Sequence, residues 1–239
     1  MTSLSINALN NTLKNNPIIH YRNPKSGHCH KVELFMSLLG ISYQNHNLDM
    51  VNGAHKSADF ITKNPFGQVP VIVDGEHTVS DSNAIIVYLA DTYGSDYPWM
   101  GTTAIEKANV QRWLSVAAGE LAKGPAALRL EYVFGANIDV PTALATTKTL
   151  LPVMEDTLLG PKLNIESGPK SRIESSTKAY LATNRLTLAD IAMYSYIAHA
   201  PEGGVSLQPY PAIQAWINRI ESLDNFIPMA NSATADYRL

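Results

Sequence analysis

The chain has 239 residues, 45% of them hydrophobic and 16% charged, which is enough apolar surface for one large core or two modest ones and too much for wholesale disorder. Eighteen basic and 21 acidic residues leave a formal charge of −3 with no long like-charge run, so nothing points to a nucleic-acid-binding face or a membrane-surface patch. One cysteine, Cys29, can form neither an internal disulfide nor a cysteine-built zinc site, and it fits a reducing, cytoplasmic compartment; no metal is expected.

Residues 1–16 carry five asparagines and no apolar core segment, so they read as a flexible leader rather than a signal peptide. The longest apolar runs, such as Ala84–Ala90, fall well short of the roughly 20 residues a bilayer span needs. Pro17–Tyr21 is a short β-rich run. Val32, Phe35, Met36 and Leu39 then recur at helical spacing, with Gly40 where a C-terminal cap belongs. Ser42–Leu48 alternates like a strand. Val69–Val73 predicts a buried strand, turning at Asp74-Gly75 into His77–Val79, and a helix follows from near Ser82. The order is βαβ, a short helical piece, then ββα.

Residues 96–103 form a linker between a first domain, 17–95, and a second, 104–239, in which strand signals fade. Ile213, Trp216, Ile217 and Ile220 make a helical stripe after Pro211. Thr187 and Asp190 stand at N-cap and N3 of a helix, with Leu186 and Ile191 at the staple positions, so Asp190→Ala is expected to cost stability of order 1 kcal/mol or more. Gly160–Ser176 is polar and reads as an inserted loop.

Three stretches together resemble the cytosolic glutathione transferases: Asn64–Pro70 (NPFGQVP) with Asp81–Ile85 (DSNAI), Ser26–Val32 (SGHCHKV), and Tyr180-Leu181 with Thr187–Ile191 (TLADI). Gly53–Ser57 (GAHKS) adds a phi-like feature. The resemblance runs from about residue 17 onward. It implies an α/β thioredoxin-like first domain, an all-α helical-bundle second domain, a homodimer, and a detoxifying enzyme that joins glutathione to small hydrophobic electrophiles.

Glutathione offers two carboxylates, an ammonium and a thiol, and each has a candidate partner. The resemblance implies a cis bond before Pro70, turning the Val69 N–H and C=O outward as a rung for the ligand's cysteinyl backbone; alternatively Pro70 only opens a strand. Asp81 and Ser82 open a helix, whose unpaired N–H groups and dipole suit the γ-glutamyl carboxylate, although both residues also serve as caps. Gln68 and Asp81 are candidates for the ammonium, and His55 and Lys56 for the glycine carboxylate.

Ser26 is the candidate catalytic residue, its hydroxyl holding the sulfur as thiolate, with a plain N-cap as the alternative. Tyr21 is a second hydroxyl nearby. Cys29 stands where a resolving cysteine would, but with no cysteine at 26 it reads as a small buried residue, and His28 and His30 beside it lack metal-ligand spacing. Trp113 and Ala117, with Val116 and Leu121, are candidate walls for the electrophile, on a helix that Gly119, Gly124 and Pro125 should shorten or kink. Two other readings stand beside conjugation: a glutathione-dependent disulfide reductase or peroxidase, and a non-catalytic glutathione-binding module.

Overall fold

The computed structural model describes residues 17–160 and 178–232; the leader 1–16 and all of Gly160–Ser176 beyond Gly160 lie outside the described residues. The chain divides into two compact units. Residues up to 97 together with 224–230 form one, and residues 98–223 with those from 231 onward form the other.

In the first unit the elements are β1 (Ile18–Arg22), α1 (Gly27–Leu38), β2 (Tyr43–Asn47), a 3₁₀ turn at Ala54–Lys56, α2 (Ala58–Lys63), β3 (Val71–Asp74), β4 (His77–Ser80) and α3 (Ser82–Tyr93). The sheet runs β2-β1-β3-β4, with β1 and β2 parallel and the other two pairings antiparallel. A parallel pair needs a crossover, which α1 supplies, whereas the antiparallel β3–β4 pair closes through a tight turn at Gly75 (φ 58°). This is the βαβ–ββα arrangement of a thioredoxin-like domain. β3 begins at Val71, two residues later than the apolar run suggests, because Pro70 has no N–H to give the ladder.

Val32, Leu34, Phe35 and Met36 of α1 and Ile85, Ile86 and Leu89 of α3 are fully buried. Past the end of α1, Gly40 adopts φ 64°, which lets the Ile41 N–H reach back to Met36 O at 2.9 Å. The segment 224–230 belongs to this unit although it follows the last helix in sequence. His30 Nε2 donates to Ile227 O at 2.9 Å and the Ser37 hydroxyl to Asn225 O at 2.7 Å. His30 is thus a fold residue, spent on a carbonyl 197 positions away.

The second unit contains α4 (Ala104–Val116), α5 (Pro125–Phe134), α6 (Val140–Leu159), α7 (Leu188–Ala198) and α8 (Pro211–Glu221). A Thr103–Glu106 capping box starts α4. Where glycine and proline were expected to disturb the helix, α4 widens into a π-helical turn at Ala117–Leu121 and stops at Gly124. A Cβ on Gly124 would stand 2.8 Å from Glu120 O and 2.9 Å from Thr147 Oγ1, so only glycine fits there. Pro125 then opens α5, and Pro211 opens α8, whose stripe at Ile213, Trp216, Ile217 and Ile220 is buried. Among the described residues no helix is long and apolar enough to cross a membrane.

Asp190 does more than cap α7. Its fully buried carboxylate accepts from the Thr187 N–H (2.9 Å) and hydroxyl (3.0 Å), from the Leu181 N–H (2.9 Å) and from the Trp216 indole N–H (3.0 Å). Burial raises its pKa against the pull of these donors. The sequence-level cost of the Ala variant counts only the cap. Removing the carboxylate strands four buried donors, and Asp190→Ala should therefore lose about 3 kcal/mol or more. A lower urea midpoint at unchanged slope would report it, and a loss of glutathione affinity at unchanged stability would contradict it.

Candidate glutathione site

Asn64 builds the loop that carries Gln68 and Val69. Its side chain donates to Gln68 O at 2.8 Å and accepts from the Phe66 N–H at 3.1 Å, while its own carbonyl accepts from the Gly67 N–H at 2.8 Å. Gly67 turns the chain at φ 59°, with its Cα facing the 3₁₀ turn: an added Cβ would lie 2.8 Å from both His55 O and Lys56 Nζ. The Val69–Pro70 peptide is cis. Val69 is half-buried, and among the described residues neither its N–H nor its C=O has a hydrogen-bond partner. An open backbone rung therefore faces out of the loop.

At the start of α3 the helix is capped from behind. Asp81 adopts φ 71°, a strained angle for a side-chain-bearing residue, and its Oδ1 accepts from the N–H groups of Asn83 (2.9 Å) and Ala84 (3.0 Å). Its main-chain oxygen takes the Ile85 N–H. Of the first four helical donors this leaves the Ser82 N–H, and it also leaves Asp81 Oδ2 without a partner among the described residues. An anion acceptor site and a carboxylate oxygen thus stand side by side. Ser82 Oγ accepts from Lys31 Nζ at 3.0 Å and lies 3.3 Å from His28 Nδ1. Burial and the Lys31 charge lower the His28 pKa to about 3, so the imidazole is neutral.

Ser26 is the N-cap of α1. The Asn23 carbonyl accepts the Ser26 N–H at 3.0 Å, fixing the approach, and Ser26 Oγ accepts from the Cys29 N–H at 3.3 Å. Capping uses the hydroxyl as an acceptor and leaves its proton to donate, so cap and thiolate partner are compatible roles. Cys29 is 1% exposed and burial pushes its thiol up to about 11, which keeps it protonated and unreactive at neutral pH.

Two adjoining cavities in the first unit, of about 470 and 370 Å³, share His28, Gln68 and Val69 as walls. The larger extends to Ser80, Asp81 and Ser82, the smaller to Met50, His55 and Lys56. Seven of the sequence-derived residues, His55, Lys56, Gln68, Val69, Pro70, Asp81 and Ser82, thus meet along one groove. Ser26 lines neither cavity. His28 lines both, yet the sequence marked it only as a neighbour of Cys29; its position in the first turn of α1, two residues past Ser26, was the available signal. Among the described residues His55 Nδ1 is buried without a partner, and Lys56 Nζ donates to Phe66 O at 3.2 Å. Tyr21 is turned into a cluster with His46 and Phe60, their ring centroids 4.8 and 6.0 Å away. Ala117 is fully buried in the second unit, and Trp113, 1% exposed, forms part of the wall of a cavity of about 250 Å³ there, beside Asn109, Arg112 and Leu181. The Arg112 guanidinium covers the Trp113 ring at 5.1 Å.

Comparison with known proteins identifies the family and agrees with the fold. Residues 16–91 match the family model described as glutathione S-transferase, N-terminal domain, and residues 170–224 the corresponding C-terminal domain. Glutathione S-transferase 2 of Anopheles gambiae is 30% identical, covering 82% of this chain and 86% of its own length. Glutathione S-transferase F10 of Arabidopsis thaliana is 29% identical over 77% of this chain and 82% of its own. Among solved structures, a glutathione S-transferase from Pseudomonas fluorescens superposes with a TM-score of 0.76 at 27% identity, covering 90% of this chain and all of that one. A thioredoxin-like unit with an open rung beside a helix start, followed by an all-helical unit, defines a glutathione-using transferase. The chain belongs to the glutathione S-transferase family.

Gly67 offers a test of the loop. Gly67→Ala forces a side chain into the left-handed region and against the His55 carbonyl, so it should cost about 1–2 kcal/mol of stability and weaken glutathione retention. Thermal melting together with binding to immobilised glutathione would measure both effects.

Proposed function

We propose that the protein joins the glutathione thiolate to a small hydrophobic electrophile, with Ser26 holding the sulfur charged. The observation that carries this reading is the groove itself. Its two ends offer complementary partners to a tripeptide with a carboxylate at either end, and the unpaired Val69 backbone lies between them. The Ser82 N–H and hydroxyl take the γ-glutamyl carboxylate, Asp81 and Gln68 the ammonium, and His55 and Lys56 the glycine carboxylate. Val69 pairs with the cysteinyl main chain as an added strand rung.

A free thiol has a pKa near 8.5. A hydrogen bond from Ser26 to the thiolate is worth about 1.5–3 kcal/mol, which converts to roughly one to two pKa units and makes the thiolate abundant at neutral pH. The start of α1 adds its positive dipole end. The thiolate then attacks the electrophilic carbon, and the leaving group departs with the bonding electron pair. A protein-thiol cycle of the glutaredoxin kind is disfavoured, since position 26 is serine and the Cys29 thiol is buried with its pKa raised to about 11.

Ser26→Ala should lower kcat/KM toward a model aryl halide at pH 7 by about 10- to 100-fold and move the pH–rate profile up by about one to two units, with glutathione affinity nearly unchanged. Thiolate absorbance of the bound ligand across pH would check the shift directly. Unaltered turnover and profile would remove Ser26 from the mechanism. Activity toward a mixed disulfide or hydroperoxide without conjugation would transfer the reading to reduction.

A further inference from the structure

Lys31 is the residue in the first unit that the glutathione reading does not use. It lies in the second turn of α1, 1% exposed, and its ammonium donates to Ser82 Oγ at 3.0 Å and to Asn83 Oδ1 at 2.7 Å. Both acceptors are neutral. No ion pair holds this charge among the described residues, although buried ammonium groups usually need one. Asp81, the opposing charge that acts on Lys31, is exposed and spends one oxygen on capping α3.

We propose that Lys31 is a positioning residue for glutathione, the buried counter-charge that the γ-glutamyl carboxylate completes through the hydroxyl of Ser82. The inference rests on the glutathione reading given above. A hydroxyl that accepts from an ammonium donates more strongly in turn, so Ser82 passes the charge toward whatever anion lies at its N–H. In the ligand-free chain that hydroxyl lies 3.3 Å from Nδ1 of the neutral His28, which accepts its proton when the imidazole is protonated at Nε2. A carboxylate is the stronger acceptor and takes its place.

The amino-acid end of glutathione is a zwitterion, and the groove meets it with opposite signs: Lys31 beneath the carboxylate and Asp81 beside the ammonium. Burial lowers the Lys31 pKa to about 8 against the pull of Asp81, so the residue is still mainly charged at neutral pH while lacking a full partner. A lysine retained only to tie α1 to α3 would be missed by the fold, since Ser82 Oγ and Asn83 Oδ1 would lose their buried donor and both variants would melt lower with little change in binding. A lysine kept for the ligand would show the opposite balance of stability and binding.

The test uses S-methylglutathione, whose blocked thiol removes sulfur ionisation from the measurement, and the analogue in which the γ-glutamyl α-carboxylate is replaced by hydrogen. Calorimetry on the full chain at pH 7 should show Lys31→Met and Lys31→Gln binding S-methylglutathione at least tenfold more weakly than the unmodified protein. The decarboxylated analogue should bind all three proteins within about twofold of one another, and both variants should melt at or above the unmodified protein. Equal losses for both ligands, or a melting point several degrees lower in both variants, would make Lys31 structural and overturn the proposal. Undiminished S-methylglutathione binding by the variants would do the same while leaving the groove assignment intact. If the unmodified protein bound neither ligand, the glutathione reading and this proposal would fall together.

A measurement on the unmodified protein stands independently of how the variants fold. The Lys31 ¹⁵Nζ resonance, followed across pH, should show its pKa rising on S-methylglutathione binding and not on binding the analogue. The titratable groups facing Lys31 are His28 and Asp81. An unchanged Lys31 titration in the S-methylglutathione complex would overturn the proposal.

Discussion

A charged group leaves water at a cost of several kcal/mol, and it stays buried only where its lone pairs or protons are answered. Asp190 is the clearest instance, and the second unit is arranged around it. Four donors converge on one carboxylate from three separated stretches of chain: Leu181 ahead of the helix, Thr187 at its first turn, and Trp216 on the last helix. Displacing any of the three strands a donor in the interior. The start of α7 and the face of α8 are therefore fixed together by a single acidic side chain, and the apolar stripe of α8 is fixed with them. Glu202 repeats the pattern on a smaller scale, taking Arg129 Nε at 2.7 Å, His199 Nδ1 at 2.8 Å and the Ser232 N–H at 2.9 Å.

The first unit meets the same constraint less completely, and its site lies where the constraint is left open. Asp74 is satisfied by the hydroxyls of Tyr88 and Tyr93, and Glu33 by Arg22 and Asn45, so both are settled parts of the fold. Along the groove the partners are missing. Among the described residues Val69 has an unpaired backbone rung, Ser82 an unpaired N–H, Asp81 an unpaired oxygen and His55 a buried nitrogen with no partner. Such groups are costly alone and inexpensive once a ligand answers them, which is the physical ground for proposing that the tripeptide binds there. The strained backbone at Asp81 belongs to the same economy, since it holds the helix start and the carboxylate at adjacent positions.

Much of the groove was legible from local chemistry. Turn and cap residues act within a few positions of themselves, so Asn64–Pro70 and Asp81–Ile85 could be read as a loop and a helix start without knowing what lay opposite. Trp113 and Ala117 were not legible in the same way. A helical stripe of apolar residues has one signature whether it faces a core or a ligand, and in the structure Ala117 is fully buried while the nearly buried Trp113 borders a cavity. His28 was passed over because a histidine beside a cysteine suggests no role until the first turn of α1 brings it to the cavity that Gln68 and Ser82 also line. The long-range partners were out of reach altogether. Nothing near Lys31 announces Ser82, 51 positions on, and nothing near His30 announces Ile227.

By itself the sequence determined the periodicities, breaks and caps: a βαβ–ββα unit ahead of a helical one, proline and glycine at the helix boundaries, and a serine rather than a cysteine at the head of α1. These follow from short-range sterics and hydrogen bonding, which travel with the residues. Only the tertiary structure decided which polar atoms remain unanswered. That depends on what folding brings within 3 Å of each group, and among the described residues it found for Asp190 three partners beyond the cap's backbone N–H, for Lys31 two neutral acceptors, and for Val69 none.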